Sequence, residues 1–463
     1  MTSVKFQASR RMLGFALGVC LLAQTACAAS MPESETDGRL IVHMLSHDDG
    51  RNDSFIFELP NGEVMVVDNQ NSEQLEADLG ELGIESIRYL VGSHQHVDHI
   101  GGFFDFLYDG FPIDNTKVYY PAGAINRTNS EYANLESAAK SRGLAVEYLA
   151  EGDYILNTTY EDKPLIVKAL GPLTRRTDGG RDDYTNVNDA SLILKITYGT
   201  QSILMMGDAK SLTESDLMTY RNSELNGIQV LKVGHHGIKD VDQWPASGAF
   251  LDRLGVTKAL ITNGTHDIAV TVVDTLQARN IPYWTTGQYG VKGPDVTLST
   301  DGASDWTTAS DAYWKPGDTG TTYYFIEHEG SPTNTNGLRR FYNDTPIGSD
   351  VALSDSQWGG YHLRWQLMDA GDGYYYIQNM RFGTRLYSTT DGSDVYQAAG
   401  TETSDNVKWK LIDKGETWKA IENKAAKGRL HAGADEEWHV GLTDSSDTGE
   451  NAQWKLVPIP LGS

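Results

Sequence analysis

Three of the chain's 12 histidines and one aspartate crowd into the stretch from His94 to His99, within Ser93-His94-Gln95-His96-Val97-Asp98-His99-Ile100-Gly101-Gly102. The stretch follows directly on the strand-like run Ile87 to Val91. A strand fixes where such a loop begins, and the loop then turns side chains inward from both of its sides. His94 and His96 can reach one cation in this way, while Asp98 and His99 face a second. Neutral imidazole with carboxylate suits Zn²⁺, and Mn²⁺ or Fe accept the same nitrogen and oxygen mixture. Gly101 and Gly102 let a helix start against the loop without side-chain obstruction.

A chain of 463 residues is too long for one ordinary core, so two or three domains are expected. With 39% hydrophobic and 22% charged residues it has the composition of folded protein. From Arg39 onward, short β-rich runs alternate with helical stretches. Strands are expected at Ser54 to Leu59 and Glu63 to Asp68, around the turn Pro60-Asn61-Gly62, and at Ser191 to Tyr198, Ser202 to Met206, Ile228 to Val233, Ala259 to Thr262 and Val296 to Ser299. Helices are expected at Glu73 to Leu82, Asn129 to Arg142, Leu212 to Tyr220 and Val272 to Arg279. Interleaving of this kind points to a layered α/β domain over residues 30–304.

Residues 305–321 read as a linker rich in Ser, Thr, Asp and Gly. Beyond it the helical period stops and a repeat appears: Trp365-Gln366-Leu367, Trp409-Lys410-Leu411 and Trp454-Lys455-Leu456. Ile326, Ile377 and Ile421 open the three units, and Gly337-Leu338-Arg339, Gly383-Thr384-Arg385-Leu386 and Gly428-Arg429-Leu430 fall in corresponding places. One such unit cannot bury its own apolar face, so three all-β copies argue for a closed threefold domain over 322–463. The three tryptophans are expected in its core. Each part has its own periodic core, so each is expected to fold alone.

Lys5, Arg10 and Arg11 precede an apolar run from Met12 to Ala23 and small residues around Ala26 to Ala29, the three-part layout of an export leader over 1–29. The run is shorter than the ~20 apolar residues that span a bilayer, so a membrane anchor is not expected. Both cysteines, Cys20 and Cys27, lie in this leader. Its removal leaves no disulfide, and stability must come from packing and metal. A lipid-attachment role for Cys27 and a twin-arginine route through Arg10 and Arg11 are the minor alternatives. The localisation expected is secreted or periplasmic. A net charge of −25, with no basic cluster after the leader, argues against a nucleic acid held through its phosphates.

The histidine motif resembles that of the metallo-β-lactamase superfamily, and other residues continue the likeness. Asp68 resembles the early aspartate that props the metal loop. Asp208, in Met206-Gly207-Asp208, resembles the carboxylate that bridges the metals, and Leu231-Lys232-Val233-Gly234-His235-His236-Gly237 supplies the late histidine. Asn188-Asp189-Ala190-Ser191 and the His-His-Gly element are similar to the hydrolase domain of competence-type DNA-uptake proteins. The layout also resembles the phosphorylcholine esterase of teichoic acid. The likeness covers about residues 39–304, and the C-terminal part resembles the ricin-type β-trefoil lectins.

The resemblance implies an α/β fold, an αββα sandwich followed by an all-β trefoil. It implies two divalent ions, Zn²⁺ with Mn²⁺ or Fe as alternatives, held by His94, His96, Asp98, His99, Asp208 and His236. Asp98 and His235 are the catalytic candidates, His235 as a hydrogen-bond donor to phosphate, although strand parity alone does not separate the roles of His235 and His236. No histidine lies between His99 and His235, so the middle histidine of glyoxalase-like members is absent. An open water position, or Asn188 or Asp189, would take its place at the first ion. In His47 to Ser54 only Asp53-Ser54 matches the uptake-type loop, and substrate contacts are expected to differ there. His43, His47 and His266 could line the same cleft, whereas His328, His362, His431 and His439 belong to the trefoil.

The function this implies is hydrolysis of a phosphodiester on an extracellular or surface-associated substrate, with the trefoil binding carbohydrate. A carboxylic ester, lactone or β-lactam hydrolase is the alternative within enzymes. A secreted lectin with a vestigial hydrolase domain is the alternative outside them.

Overall fold

Val64 to Val67 is apolar at every position because it is covered on both faces. Met65 and Val67 enter one core, while Val64 and Val66 enter another. The same division recurs at Ile203 and Met205 against Leu204 and Met206. Two sheets packed face to face, each with helices on its outer side, produce this pattern.

The computed structural model describes residues 36–459 apart from 48–51, 109–110, 114, 123–129, 174–185, 239–242, 265–267, 289–290, 293–294, 311–322, 330–337, 343–346, 349–350, 356–362, 381, 416–417, 433–439 and 448. The export leader expected over 1–29 lies outside the described residues, as do His266, His362 and His439. Among the described residues no helix is long and apolar enough to cross a membrane.

The first sheet is built from β1 (Leu40–Met44), β2 (Phe55–Glu58), β3 (Val64–Val67), β4 (Tyr89–Val91), β5 (Lys117–Pro121) and β6 (Ala145–Leu149). The chain then forms the second sheet from β7 (Tyr154–Tyr160), β8 (Lys163–Gly171), β9 (Ile193–Tyr198), β10 (Gln201–Met205), β11 (Val230–Lys232), β12 (Lys258–Gly264), β13 (Tyr283–Gln288) and β14 (Val291–Lys292). It returns to the first through β15 (Val296–Thr300) and β16 (Thr307–Thr308). The orders are β16-β15-β1-β2-β3-β4-β5-β6 and β14-β13-β12-β11-β10-β9-β8-β7. In each sheet an antiparallel half leads into a parallel run, β3 to β6 in one and β10 to β13 in the other.

Helices α1 (Ser72–Glu81), α2 (Val97–Tyr108) and α3 (Ser130–Ser141) cover the first sheet through Leu75, Phe103 and Leu135. Helices α4 (Ser211–Tyr220), α5 (Gly248–Leu254) and α6 (Val270–Ala278) cover the second through Leu217, Phe250 and Val273. This is the αββα sandwich. The expected strands and helices lie within a few residues of those observed. Helix α2 starts earlier than the glycine pair suggested and takes Asp98 and His99 into its first turn.

The C-terminal part closes on itself. Six strands, Tyr323–Glu329, Trp365–Gly371, Tyr374–Asn379, Lys408–Asp413, Trp418–Asn423 and Trp454–Pro458, pair in that order, and the last pairs with the first. Three further hairpins, begun by Leu338–Tyr342, Arg385–Ser388 and Arg429–Ala432, complete a β-trefoil. The repeat is kept in detail. Trp365, Trp409 and Trp454 are fully buried, and their indole N–H groups donate to the carbonyls of Phe341, Leu386 and Leu430 at 2.9, 2.8 and 2.9 Å. Ile326, Ile377 and Ile421 share their core.

The two parts touch. Arg364 makes two 3.1 Å hydrogen bonds to the Asp274 carboxylate on α6, and both residues are buried. Met380 joins the apolar cluster beneath α4 to α6, and Tyr323 packs against it. The sandwich also extends into the segment read as linker: Trp306 is buried between the sheets and β16 pairs with β15. The rest of the expected linker, 311–321, lies outside the described residues.

Two outcomes follow from this packing. A chain ended at residue 304 loses the buried Trp306, and by the usual cost of deleting a core tryptophan should be about 3–5 kcal/mol less stable than one ended at 310. Denaturant melts of the two truncations measure the difference, and equal midpoints would contradict the role given to Trp306. The second outcome concerns Glu214 on α4, which is buried and accepts the backbone N–H groups of Ala246 and Ser247 at 2.5 and 3.0 Å. Burial outweighs these donors and pushes its carboxyl up to about 7. The folded chain therefore keeps a proton that the unfolded chain loses above its ordinary carboxyl range. Stability should fall as pH rises from about 4.5 to 7, by roughly 3 kcal/mol in total from this group. Glu214→Gln should flatten that part of the melting-temperature profile.

Candidate metal centre

The ends of β3, β4, β10 and β11 bring the motif residues to one edge of the sandwich. Asp68 leaves β3 with a left-handed backbone (φ 58). Its carboxylate accepts from the Ser93 N–H and hydroxyl, both at 2.6 Å, and lies 2.8 Å from His99 Nδ1. It therefore holds the loop after β4 and orients His99. Helix α2 begins immediately beyond, with the His99 and Ile100 N–H groups donating to the His96 carbonyl. Gly102 is required at this crossing, because a Cβ there would stand 2.5 Å from Asn69 Nδ2 and 2.6 Å from Asn71 N.

From the second sheet, Gly207 and Asp208 follow β10, and Gly234 to Gly237 follow β11. Gly234 passes so close to the Ala209 carbonyl that no side chain fits. His235 and His236 both adopt left-handed backbone, φ 47 and 50. Such strain is kept only where surrounding contacts impose it. Here the His235 N–H donates to the Gly207 carbonyl at 3.2 Å, and Asn263 donates to the His236 carbonyl at 3.0 Å.

The result is two groups of nitrogen and oxygen atoms joined by Asp208. On one side His94 Nε2 lies 3.0 Å from His96 Nδ1 and 3.7 Å from Asp208 Oδ2. On the other, His99 Nε2 lies 3.1 Å from His236 Nε2 and 3.1 Å from Asp208 Oδ1. His236 Nε2 is also 3.5 Å from Asp98 Oδ2 and 3.6 Å from Asp208 Oδ1. Asp208 is buried, and its Oδ1 has no directed hydrogen bond. An orphaned carboxylate oxygen facing converging imidazole nitrogens fits a divalent cation with N and O ligands.

The electrostatics favour the same reading. Burial, reinforced by the neighbouring His99, holds His94 well below the ordinary imidazole range, and burial also lowers His96. Both are neutral and offer lone pairs. At His99 and His236 burial acts against the charged form, but Asp208 and Asp53 outweigh it. His99 is raised well above its ordinary value and His236 to about 9. Burial opposes the charge on Asp208 as well, yet His99 and His236 hold it well below the usual carboxylate range. The same anionic surplus would attract a cation, whose binding requires the imidazoles in their neutral form.

His235 is placed differently from the donor expected at the sequence level. Its Nδ1 lies 3.1 Å from the Ile238 carbonyl and its Nε2 4.0 Å from Asp208 Oδ2. Burial lowers its pKa, so the ring is neutral with the proton on Nδ1 and a lone pair on Nε2. It presents an acceptor toward the site, where a phosphate oxygen would need a donor.

Among the described residues, His43 and His47 do not join the two groups. His43 bonds to Glu58 and Thr297, each at 3.0 Å, and His47 to Asp78 at 2.8 Å. His328 is buried beside Trp454 in the trefoil. The backbone carbonyls of Asp189 and Asn188 accept from the Thr213 and Ser191 hydroxyls, while the side-chain Oδ1 of Asn188 is buried without a hydrogen bond. Asp53 was read as part of a substrate loop, yet it is buried behind the imidazoles, 3.2 Å from His236 Nδ1 and 3.6 Å from His99 Nδ1, in an ion pair with buried Lys232. A lysine inside the apolar run Val230 to Val233 was the available signal, since lysine is rarely buried unless paired.

Residues 47–243 match the family model of the metallo-β-lactamase superfamily, and the αββα sandwich and its cluster of histidines and aspartates lie largely within that stretch. No curated protein matches the chain. Among solved structures, the chain is similar to the designed threefold-symmetric protein ThreeFoil, at 26% identity over 30% of this chain and 99% of that one, TM-score 0.26. It is also similar to a Polyporus squamosus lectin solved with a human-type influenza-binding epitope, at 16% identity over 30% and 49% of the two chains, TM-score 0.26. A third is SeviL bound to asialo-GM1 saccharide, at 19% identity over 29% and 96%, TM-score 0.23. The trefoil itself stands on the barrel closure and the threefold repeat described above.

Proposed function

We propose that the chain is an exported dinuclear-metal hydrolase that cleaves phosphodiesters, with His94, His96 and Asp208 holding one cation and Asp98, His99, His236 and Asp208 the other. The observation that carries this reading is the division of Asp208, whose Oδ2 faces His94 while Oδ1 faces His99 and His236. One carboxylate serving two groups of imidazoles sets their separation and offsets the repulsion between two cations. Bound divalent ions supply Lewis acidity there, lowering the pKa of water and polarising an ester oxygen.

The side chains do the rest. Asp68 fixes the ring of His99 through Nδ1, and the Thr262 carbonyl and hydroxyl do the same for His236 at 3.0 and 3.1 Å, so both Nε2 atoms point at the centre. His235 turns its Nε2 lone pair toward Asp208 Oδ2 at 4.0 Å, the oxygen that also faces His94. Asp98, about one quarter exposed, is the carboxylate nearest to solvent and can also accept a proton from an attacking water.

The phosphodiester class follows from paired cation sites suited to in-line displacement and from the resemblance to the uptake-type and phosphorylcholine-esterase domains. Export rests on the layout of residues 1–29, and carbohydrate binding by the trefoil rests on likeness to ricin-type lectins. A trefoil seated on a glycan would raise the local concentration of a surface-attached substrate.

Asp208→Ala should abolish hydrolysis of bis(p-nitrophenyl) phosphate and lower the bound metal from about two ions per chain, because both groups lose a ligand. Plasma emission analysis of the purified variant, together with a panel of phosphodiester, lactone and β-lactam substrates on the wild type, checks the proposal. An Asp208→Ala protein that retained two ions and normal turnover would remove the bridge. Activity confined to lactones or β-lactams would remove the phosphodiester assignment alone.

A further inference from the structure

Behind the imidazoles lies a buried ion pair with no place in the mechanism so far. Lys232, with its side chain fully buried, forms an ion pair with Asp53 Oδ2, donates to the Gly207 carbonyl at 2.8 Å and stands 4.0 Å from Asp208 Oδ1. Asp53 Oδ1 accepts from the Thr262 hydroxyl and lies 3.2 Å from His236 Nδ1. Its Oδ2 lies 3.6 Å from His99 Nδ1, and its backbone N–H donates to the Asp98 carbonyl at 3.3 Å. The pair thus reaches four residues assigned to the second cation, from the side away from their converging atoms.

Asp53, His99 and His236 would by proximity alone make a cation site of their own. Two features argue against it. The ammonium of Lys232 already occupies the position beside Asp53 Oδ2, and the imidazole atoms turned toward Asp53 are Nδ1, whereas the Nε2 atoms face each other and Asp208. A carboxylate on the Nδ1 side of a metal-binding histidine keeps the proton there and leaves Nε2 free to ligate.

We infer that Asp53 and Lys232 are positioning residues for the second cation: Asp53 backs the Nδ1 side of His236 at 3.2 Å together with Thr262, sets its charge 3.6 Å from the His99 ring that Asp68 holds, and is itself locked by Lys232 to the segment that delivers Asp208. The inference rests on the two-cation reading above. It differs from a merely structural role by being selective: the pair stands directly behind His236 and beside His99, and meets the first cation's ligands only through the shared Asp208, 4.0 Å from Lys232 Nζ.

The test is a Zn²⁺ titration of the metal-stripped full chain against a competing chelator, with melting curves alongside. Asp53→Asn/Lys232→Met removes both charges together, so no lone charge is left buried. The expected result is two binding steps in the wild type, with the second weakened about 10–100-fold in the double variant and the first, reached only through Asp208, weakened clearly less. Asp53→Asn alone keeps an acceptor for Thr262 and should show the same selective loss to a smaller degree. Both steps as in the wild type would overturn the positioning role and leave the metal centre standing. If the double variant fails to fold or weakens both steps equally, Asp53→Asn decides: selective loss supports the inference, and none overturns it. A wild type that binds fewer than two ions would remove the two-cation reading itself, and the inference with it.

Discussion

Asp208 has to remain ionised where the protein would otherwise forbid it. It is buried at the edge of the sandwich with one oxygen lacking a directed hydrogen bond, and an isolated carboxylate in such a place would take up a proton. The surrounding imidazoles prevent this, holding it well below the usual carboxylate range. Much of the local structure serves the same condition. Left-handed residues at 235 and 236 aim two rings at the carboxylate, Asp68 and Thr262 fix the rings behind, and the Ser191 hydroxyl accepts the Asp208 N–H at 3.0 Å.

The paired sheets make such a site possible. Parallel strands in each sheet end at the same edge, so short loops after β3 and β4 meet short loops after β10 and β11. The Leu192 N–H donates to the Ser93 carbonyl at 2.8 Å, linking the two sheets beside the motif. A rigid scaffold with functional loops at one edge holds ligand atoms within a few tenths of an ångström, which metal binding requires.

What could be read from the sequence was what is local or repeated. His94, His96, Asp98 and His99 share one loop, and their juxtaposition needs no knowledge of the fold. The trefoil was legible because its tryptophans recur in each unit, and all three are buried and bonded alike. Asp53 was hidden because its partners are remote in sequence: Thr262, which donates to it, is 209 residues away. Register across two sheets decides that contact, and strand parity does not supply register. The hairpin of β7 and β8 escaped notice because the exposed, polar residues of β7 blur the alternation that marks a strand. Contact between Arg364 and Asp274 was equally invisible, since a single charged pair leaves no pattern in either segment.

The most direct test of the centre is anomalous diffraction from crystals of the metal-loaded protein, recorded on both sides of the metal absorption edge. Two peaks are expected, one among His94, His96 and Asp208 and one among Asp98, His99, His236 and Asp208, with Asp53 beyond bonding distance of either. A single peak, or one ligated by Asp53, would contradict the bridging role given to Asp208.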